Sequence, residues 1–240
     1  MHQTVKYVII IIIGVVLAFN PFKMFASADA TSLFAVVGII YGVIAAFFIT
    51  AASDRLDNMR RGISEEVNSL IALSIVARRI SDKNFFTKKL LPAISFFCKE
   101  VIALGSHWDD ERVYIALRKL TNAVADAPLK TAKDSSLFDS LESEARVLSS
   151  ARQMQKLLLE SRTSISEWIL IVFFSAFLLF LVNAVGLSTV YLATILPSIG
   201  TNIAILLIPL VLYKIDFLDI NEEKISKKPY ELVLDIVNSK

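Results

Sequence analysis

No Asp, Glu, Lys or Arg occurs anywhere from residue 168 to residue 213. A stretch that long without a charge has no face to turn to water. At 1.5 Å of rise per residue it is about twice what a helix needs to cross a hydrocarbon core of roughly 30 Å. It therefore reads as two crossings, at 166–184 and 190–213, joined by a tight turn that Asn183, Gly186 and Ser188 mark. A second uncharged stretch, LFAVVGIIYGVIAAFFITAA at 33–52, is long enough for one more crossing. The run YVIIIIIGVVLAF at 7–19 is shorter and admits two readings, a retained anchor or the apolar region of a secretory signal. Lys6 and the Ala26-Ser27-Ala28 pattern favour a signal, while the wide gap filled by Asn20-Pro21-Phe22-Lys23 favours the anchor. Composition agrees with a membrane protein: 55% of the residues are hydrophobic and 20% charged, and the mean hydropathy is +0.61. With the anchor retained, the chain has four spans.

Orientation follows from the basic residues near the span ends. Arg55, Arg60 and Arg61 follow the second span, Arg152, Lys156 and Arg162 precede the third, and Lys214, Lys224, Lys227 and Lys228 follow the fourth; the other side has only Lys23. The positive-inside bias places both termini and residues 54–165 in the cytoplasm, with the spans expected in the cell's inner (plasma) membrane. The chain then divides into a first transmembrane hairpin at 1–53, a cytosolic helical region at 54–165, a second hairpin at 166–213 and a cytosolic tail at 214–240. Ile63, Val67, Leu70 and Ile71 recur at helical spacing with no Gly or Pro between Ile63 and Pro92, so the second span is expected to continue into the cytosol. Further helices are expected at 84–104, from Ser106 to about Ala127, and after Asp134-Ser135-Ser136, the last with Leu137, Leu141, Ala145, Leu148 and Leu158 on one face. Alternating runs and Asn-Gly or Asp-Gly turns are absent. The expected class is all-α, a multi-pass membrane protein with four transmembrane helices and a cytosolic helical bundle.

A net charge of +2 gives no bulk attraction for nucleic acid. Cys98 is the single cysteine, and neither CxxC nor HExxH occurs, which argues against structural zinc, redox chemistry or any bound cofactor. His107, Asp110 and Glu111 lie at i, i+3 and i+4, but a helix start with acidic residues against its positive end accounts for them without a metal. No GxSxG accompanies the lone internal histidine, so the chain is not expected to be an enzyme. Glu65-Glu66-Val67-Asn68 reads either as a cation site near a pore mouth or, more simply, as an Arg61–Glu65 pair at i, i+4. Arg78-Arg79 and Lys88-Lys89 read as solvated faces or contacts to anionic lipid.

Within the spans, Gly38 and Gly42 form a GxxxG step that lets a neighbouring helix approach closely, and with the amphipathic stripes of the cytosolic helices it points to a homo-oligomer. Phe47 and Phe48 could narrow a conduit, with Thr50 and Ser53 at its mouth. Pro197, Ser198, Gly200, Thr201 and Asn202 interrupt an otherwise aliphatic span, where a break can turn polar groups toward a permeating ion or merely kink the helix. No span carries an ionisable residue of the kind a proton-coupled transporter uses.

These pieces, in this order, resemble a bacterial membrane family of unknown function described as bestrophin-like. The matching residues are FAVVGIIYGVIAAFFI running into DRLDNMRRGISEEVNSLIAL, Trp108 closing a helix pair, ARQMQKLLLESRTSISEW entering the third span, and YKIDFLDI before KPYELV. The resemblance covers residues 33–237 and is most specific at 54–73. One departure is Asn221-Glu222-Glu223-Lys224, which stands where the family carries a Pro-Phe-x-Gly element. Bestrophins proper are similar in outline, with four spans and subunits assembled as a pentamer around an anion pore that has an aromatic and aliphatic neck. That likeness implies pore-lining roles for Phe47, Phe48 and Ile44, and small ions as the permeating species; Asn202 joins the pore-lining candidates from the interrupted last span. The alternative is a membrane-anchored helical scaffold or sensor whose cytosolic helices bind a partner.

Overall fold

The computed structural model describes residues 28–104, 111–161, 163–185, 192–216 and 227–239. The run at 7–19, the helix start at His107 to Asp110, Trp108, the turn at 186–189 and the 221–224 departure lie outside the described residues. Those that are described form helices and turns with no strand among them. The helices are α1 (Ala28–Ala77), α2 (Leu91–Leu104, entered through a π-helical segment Phe85–Leu90), α3 (Glu111–Ala125), α4 (Ala132–Glu160), α5 (Ile165–Val185), α6 (Leu192–Asp216) and α7 (Lys228–Asn238). They belong to two compact units, one of residues 1–54 and 162–218, the other of 55–161 and 219–240, and α1 contributes to both.

Among the described residues three helices are long and apolar enough to cross a membrane, Ser32–Ala77, Ile165–Asn183 and Ile199–Asp216. The first unit is built from them. Val37, Tyr41 and Ala45 of α1 pack against Leu178, Leu181 and Val182 of α5 and Ile205 of α6. A second layer joins Ala52, Ile171 and Leu212, with Phe48, Ile49, Trp168 and Ile215 around it. Positions 37, 41, 45, 48 and 52 follow the 3.6-residue period, so one stripe of α1 makes the whole contact.

Lipid offers no hydrogen bonds, so polar groups at membrane depth must find partners in the chain. Pro209 has no N–H, which leaves the Ile205 carbonyl four residues earlier without its helical donor. The Tyr41 hydroxyl approaches that carbonyl at 3.5 Å and shares a 2.9 Å hydrogen bond with Ser175 Oγ. Residues 197–202 do not break the helix of the last span, because α6 runs continuously through them. At the other end of this unit Asp216 accepts from Thr163 N (3.1 Å), Thr163 Oγ1 (2.6 Å) and Trp168 Nε1 (3.1 Å), tying the last residue of α6 to the start of α5. Trp168 and Tyr213 meet edge to face at 6.1 Å, an aromatic pair of the kind found where spans leave the hydrocarbon.

The second span continues past the arginines as expected, and in the second unit this helix ends at Ala77. The turn that follows is held by Asp134, which accepts from Ser81 N (3.0 Å) and Ser81 Oγ (2.9 Å). α4 begins before Asp134 rather than after Ser136, since Thr131 Oγ1 accepts from Asp134 N at 3.1 Å and caps the helix there. The tail at 228–238 is a helix, with Pro229 in its first turn and Tyr230, Val233 and Val237 buried on one side.

Candidate functional site

The face of α1 opposite its packing stripe is exposed and apolar. Val36 is 55% exposed, Ile39 69%, Val43 67% and Phe47 68%, a set of bulky side chains that the other described residues leave uncovered. Phe48, turned about 100° from Phe47 as adjacent helical residues are, packs instead into the Ala52, Ile171 and Leu212 layer. The two rings sit edge to face with centroids 5.7 Å apart. Ile44 is half-buried between those faces, Thr50 is exposed and Ser53 half-buried. At Gly38 and Gly42 an added Cβ would meet nothing within 4 Å, so among the described residues no helix packs on the GxxxG step. Asn202 has no exposed surface; it exchanges amide hydrogen bonds of 3.3 and 3.4 Å with Asn183, which also donates to Leu179 O at 2.6 Å.

A second constellation lies in the other unit. The expected Arg61–Glu65 pair is not formed: both residues are exposed, and it is Arg60 that pairs, with Asp57, at 2.9 Å. Glu66, the next residue, is fully buried. Its Oε2 accepts from Gln155 Nε2 at 2.6 Å and lies 3.7 Å from Arg152 Nη1, which donates to Gln155 Oε1 at 3.1 Å. Gly62 makes room for this approach, since a Cβ there would stand 3.1 Å from Gln155 Cγ. Met59, Ile63, Glu66, Leu70, Leu73 and Ala77 are all buried at alternating four- and three-residue steps, so Glu66 is the charged member of an otherwise apolar seam. That spacing was the signal available in the sequence. Arg78 is likewise no solvated face residue: its Nη2 donates to the carbonyls of Ile236 (3.4 Å), Val237 (3.0 Å) and Ser239 (3.2 Å) at the end of α7.

Burial pushes the Glu66 carboxyl above its usual range, with Arg152 and Gln155 opposing but not reversing the shift. The Cys98 thiol is pushed up to about 12 by burial and by the Glu66 charge. Because the folded unit holds the Glu66 proton more tightly than the unfolded chain does, that stability is fully present below the ordinary carboxylate range. It is lost as pH rises through the raised folded value. Asp82 and Asp134 are shifted down, by Lys130 and by the Ser81 amide respectively, and act in the opposite sense. Glu66→Gln removes the titration while leaving those aspartates in place. The variant is expected to gain melting temperature relative to wild type as pH rises from about 4 toward neutrality. A wild type that gains on the variant over that range would contradict this assignment.

Among the described residues no group of three or more His, Cys, Asp or Glu side chains converges as a metal site would. A family model described as "Bestrophin-like domain" matches residues 28–213. Two crystal structures of a bacterial bestrophin homologue from Klebsiella pneumoniae, each with a single mutation, share the fold. One has a TM-score of 0.74 at 11% identity, covering 97% of this chain and 99% of the other. The second has a TM-score of 0.73 at 10% identity, covering 98% and 100%. No curated protein matches the chain.

Proposed function

The chain belongs to the bestrophin-like family, and from that premise we propose that several copies assemble in the plasma membrane around a pathway for small ions, anions foremost, lined by the exposed face of α1. The observation that carries this reading is Phe47, which is 68% exposed on an apolar helix face while its neighbour Phe48 is packed inside. A single chain of three or four spans encloses no conduit, so the pathway needs a ring of copies, with Phe47 and Ile44 at its narrow part. Phe48 supports the wall from behind and the buried Asn183–Asn202 pair joins the two later spans. In this reading the run at 7–19 is the first of four spans, and both termini are cytoplasmic.

Topology and assembly are tested separately from conduction. In a Cys98→Ser background, Ser188→Cys is expected to react on whole cells with a membrane-impermeant thiol reagent, and Ser136→Cys to react only after lysis; the reverse pattern would invert the orientation. The open surface at Gly38 and Gly42 is where a neighbouring copy can come closest. Gly42→Leu is expected to lower the assembled mass seen by native mass spectrometry with helical content unchanged. A wild type that is monomeric across gentle detergents would remove the basis for a pore.

A scaffold function has one observation in its favour. On α4 the residues Ser136, Ser140, Ser143, Val147, Ser150, Met154 and Leu157 recur at alternating four- and three-residue steps, and all are exposed and uncharged. A seam of that kind suits another helix. Reconstituted protein that passes no ion, together with a cytosolic protein retained through Met154 and Leu157, would make the scaffold the better account.

A further inference from the structure

The last helix is seated over buried polar groups, and the fit between the two is incomplete. α7 packs against α2 and brings Tyr230, Val233 and Val237 into the interior. The Tyr230 hydroxyl faces the Glu66 carboxylate, and burial and that charge push the phenol far above its usual range. Yet Tyr230 Oη and Glu66 Oε1, both fully buried, are poorly aligned: the two side chains are within reach of each other, but neither oxygen makes a hydrogen bond of good geometry. The other groups facing this carboxylate are Arg152 and Gln155 from α4 and Cys98 from α2.

A buried oxygen whose hydrogen bond is poorly aligned recovers only part of what it lost in leaving water. Here one lies on each side of a single contact, so the seat of α7 is weaker at Tyr230 than an apolar seat of the same shape. An isolated helix of 11 residues is also too short to persist in water. What holds it from outside is Arg78, through the three terminal carbonyls, with its guanidinium 5.2 Å above the Phe86 ring. A segment held by a few apolar side chains and one exposed clamp belongs to the low-stability end of a fold.

We infer that α7 is a detachable clasp: it unseats from the second unit as one piece while the other helices stay folded, and in doing so uncovers Glu66, Arg152 and Cys98. Release converts a closed interior into an open site with a carboxylate, a guanidinium and a thiol at its rim. Arg78 and Tyr230 set how often that happens, the first by holding the clasp and the second by loosening it.

Cys98, the chain's single cysteine, reports the event directly, because it has no exposed surface and a thiol that burial keeps protonated. The full-length protein in detergent would be treated with a maleimide, with amide exchange followed in parallel. Cys98 is expected to label under native conditions at a rate insensitive to low denaturant, and the α7 amides to exchange in the same rate class, ahead of those of α4. Tyr230→Phe, which deletes one poorly aligned oxygen, is expected to slow labelling about fivefold, and Arg78→Ala to speed it about fivefold. Labelling that rises only in step with global loss of helix would overturn the clasp. So would faster labelling of Tyr230→Phe, which would mean that the hydroxyl holds α7 in place.

Discussion

Phe47→Ala protein reconstituted in liposomes is expected to pass chloride about tenfold faster than wild type, the change that follows from lowering a barrier by ~1.4 kcal/mol. A ring of aromatic side chains resists ions because they must shed water to enter it, and shortening those side chains lets water follow the ion through. The structure makes the comparison with Phe48→Ala sharp. Phe48 packs against Ala52, Ile171 and Leu212, so its truncation removes packing between spans and is expected to lower the melting temperature without raising flux. Potassium flux measured in the same vesicles reads the selectivity. Equal flux from wild type and both variants, at the level of protein-free liposomes, would end the channel reading. Equal gains from both variants would move the constriction off the Phe47 face.

Arg152→Ala is expected to destabilise the second unit by about 3–5 kcal/mol, the range found when one member of a buried ionic pair is removed. Arg152 heads the fully buried side chains by volume, and its loss leaves a cavity, strips Gln155 Oε1 of its 3.1 Å donor and leaves Glu66 without a facing cation. The melting temperature should fall by about 10 °C or more. Arg152→Met keeps most of the volume, and combined with Glu66→Gln it removes both charges, so the double variant should recover much of the loss. A single Arg152→Ala variant that melts within about 2 °C of wild type would show that the cluster is not the unit's structural centre.

Much of the membrane part was legible in the chain. The uncharged stretches at 33–52 and 168–213 can lie nowhere but in hydrocarbon or a dry core, and length alone divides the second into two spans. The helices found there, Ile165–Val185 and Leu192–Asp216, lie within three residues of the expected 166–184 and 190–213. Periodicity also placed Leu137, Leu141, Ala145, Leu148 and Leu158 on one face of α4, and all are buried except Leu137, which is half-buried. Phe47 and Phe48 could not be told apart by composition, because a span is apolar all round and carries no polar stripe to orient it.

Charge was the harder signal. Arg152 counted in the sequence as a basic residue near a span end, Arg78 as part of a solvated pair and Glu66 as the neighbour of a surface ion pair. In the folded chain Arg152 and Glu66 are buried together, and Arg78 caps a helix whose carbonyls lie about 160 residues further along. Local spacing determines which side chains share a helix face, and so the sequence by itself determined the helices, the spans and their apolar stripes. Whether a charge on such a face meets water or a counter-charge depends on which distant segment packs there, here α4 and α7 brought to α1. That long-range packing was decided only by the tertiary structure.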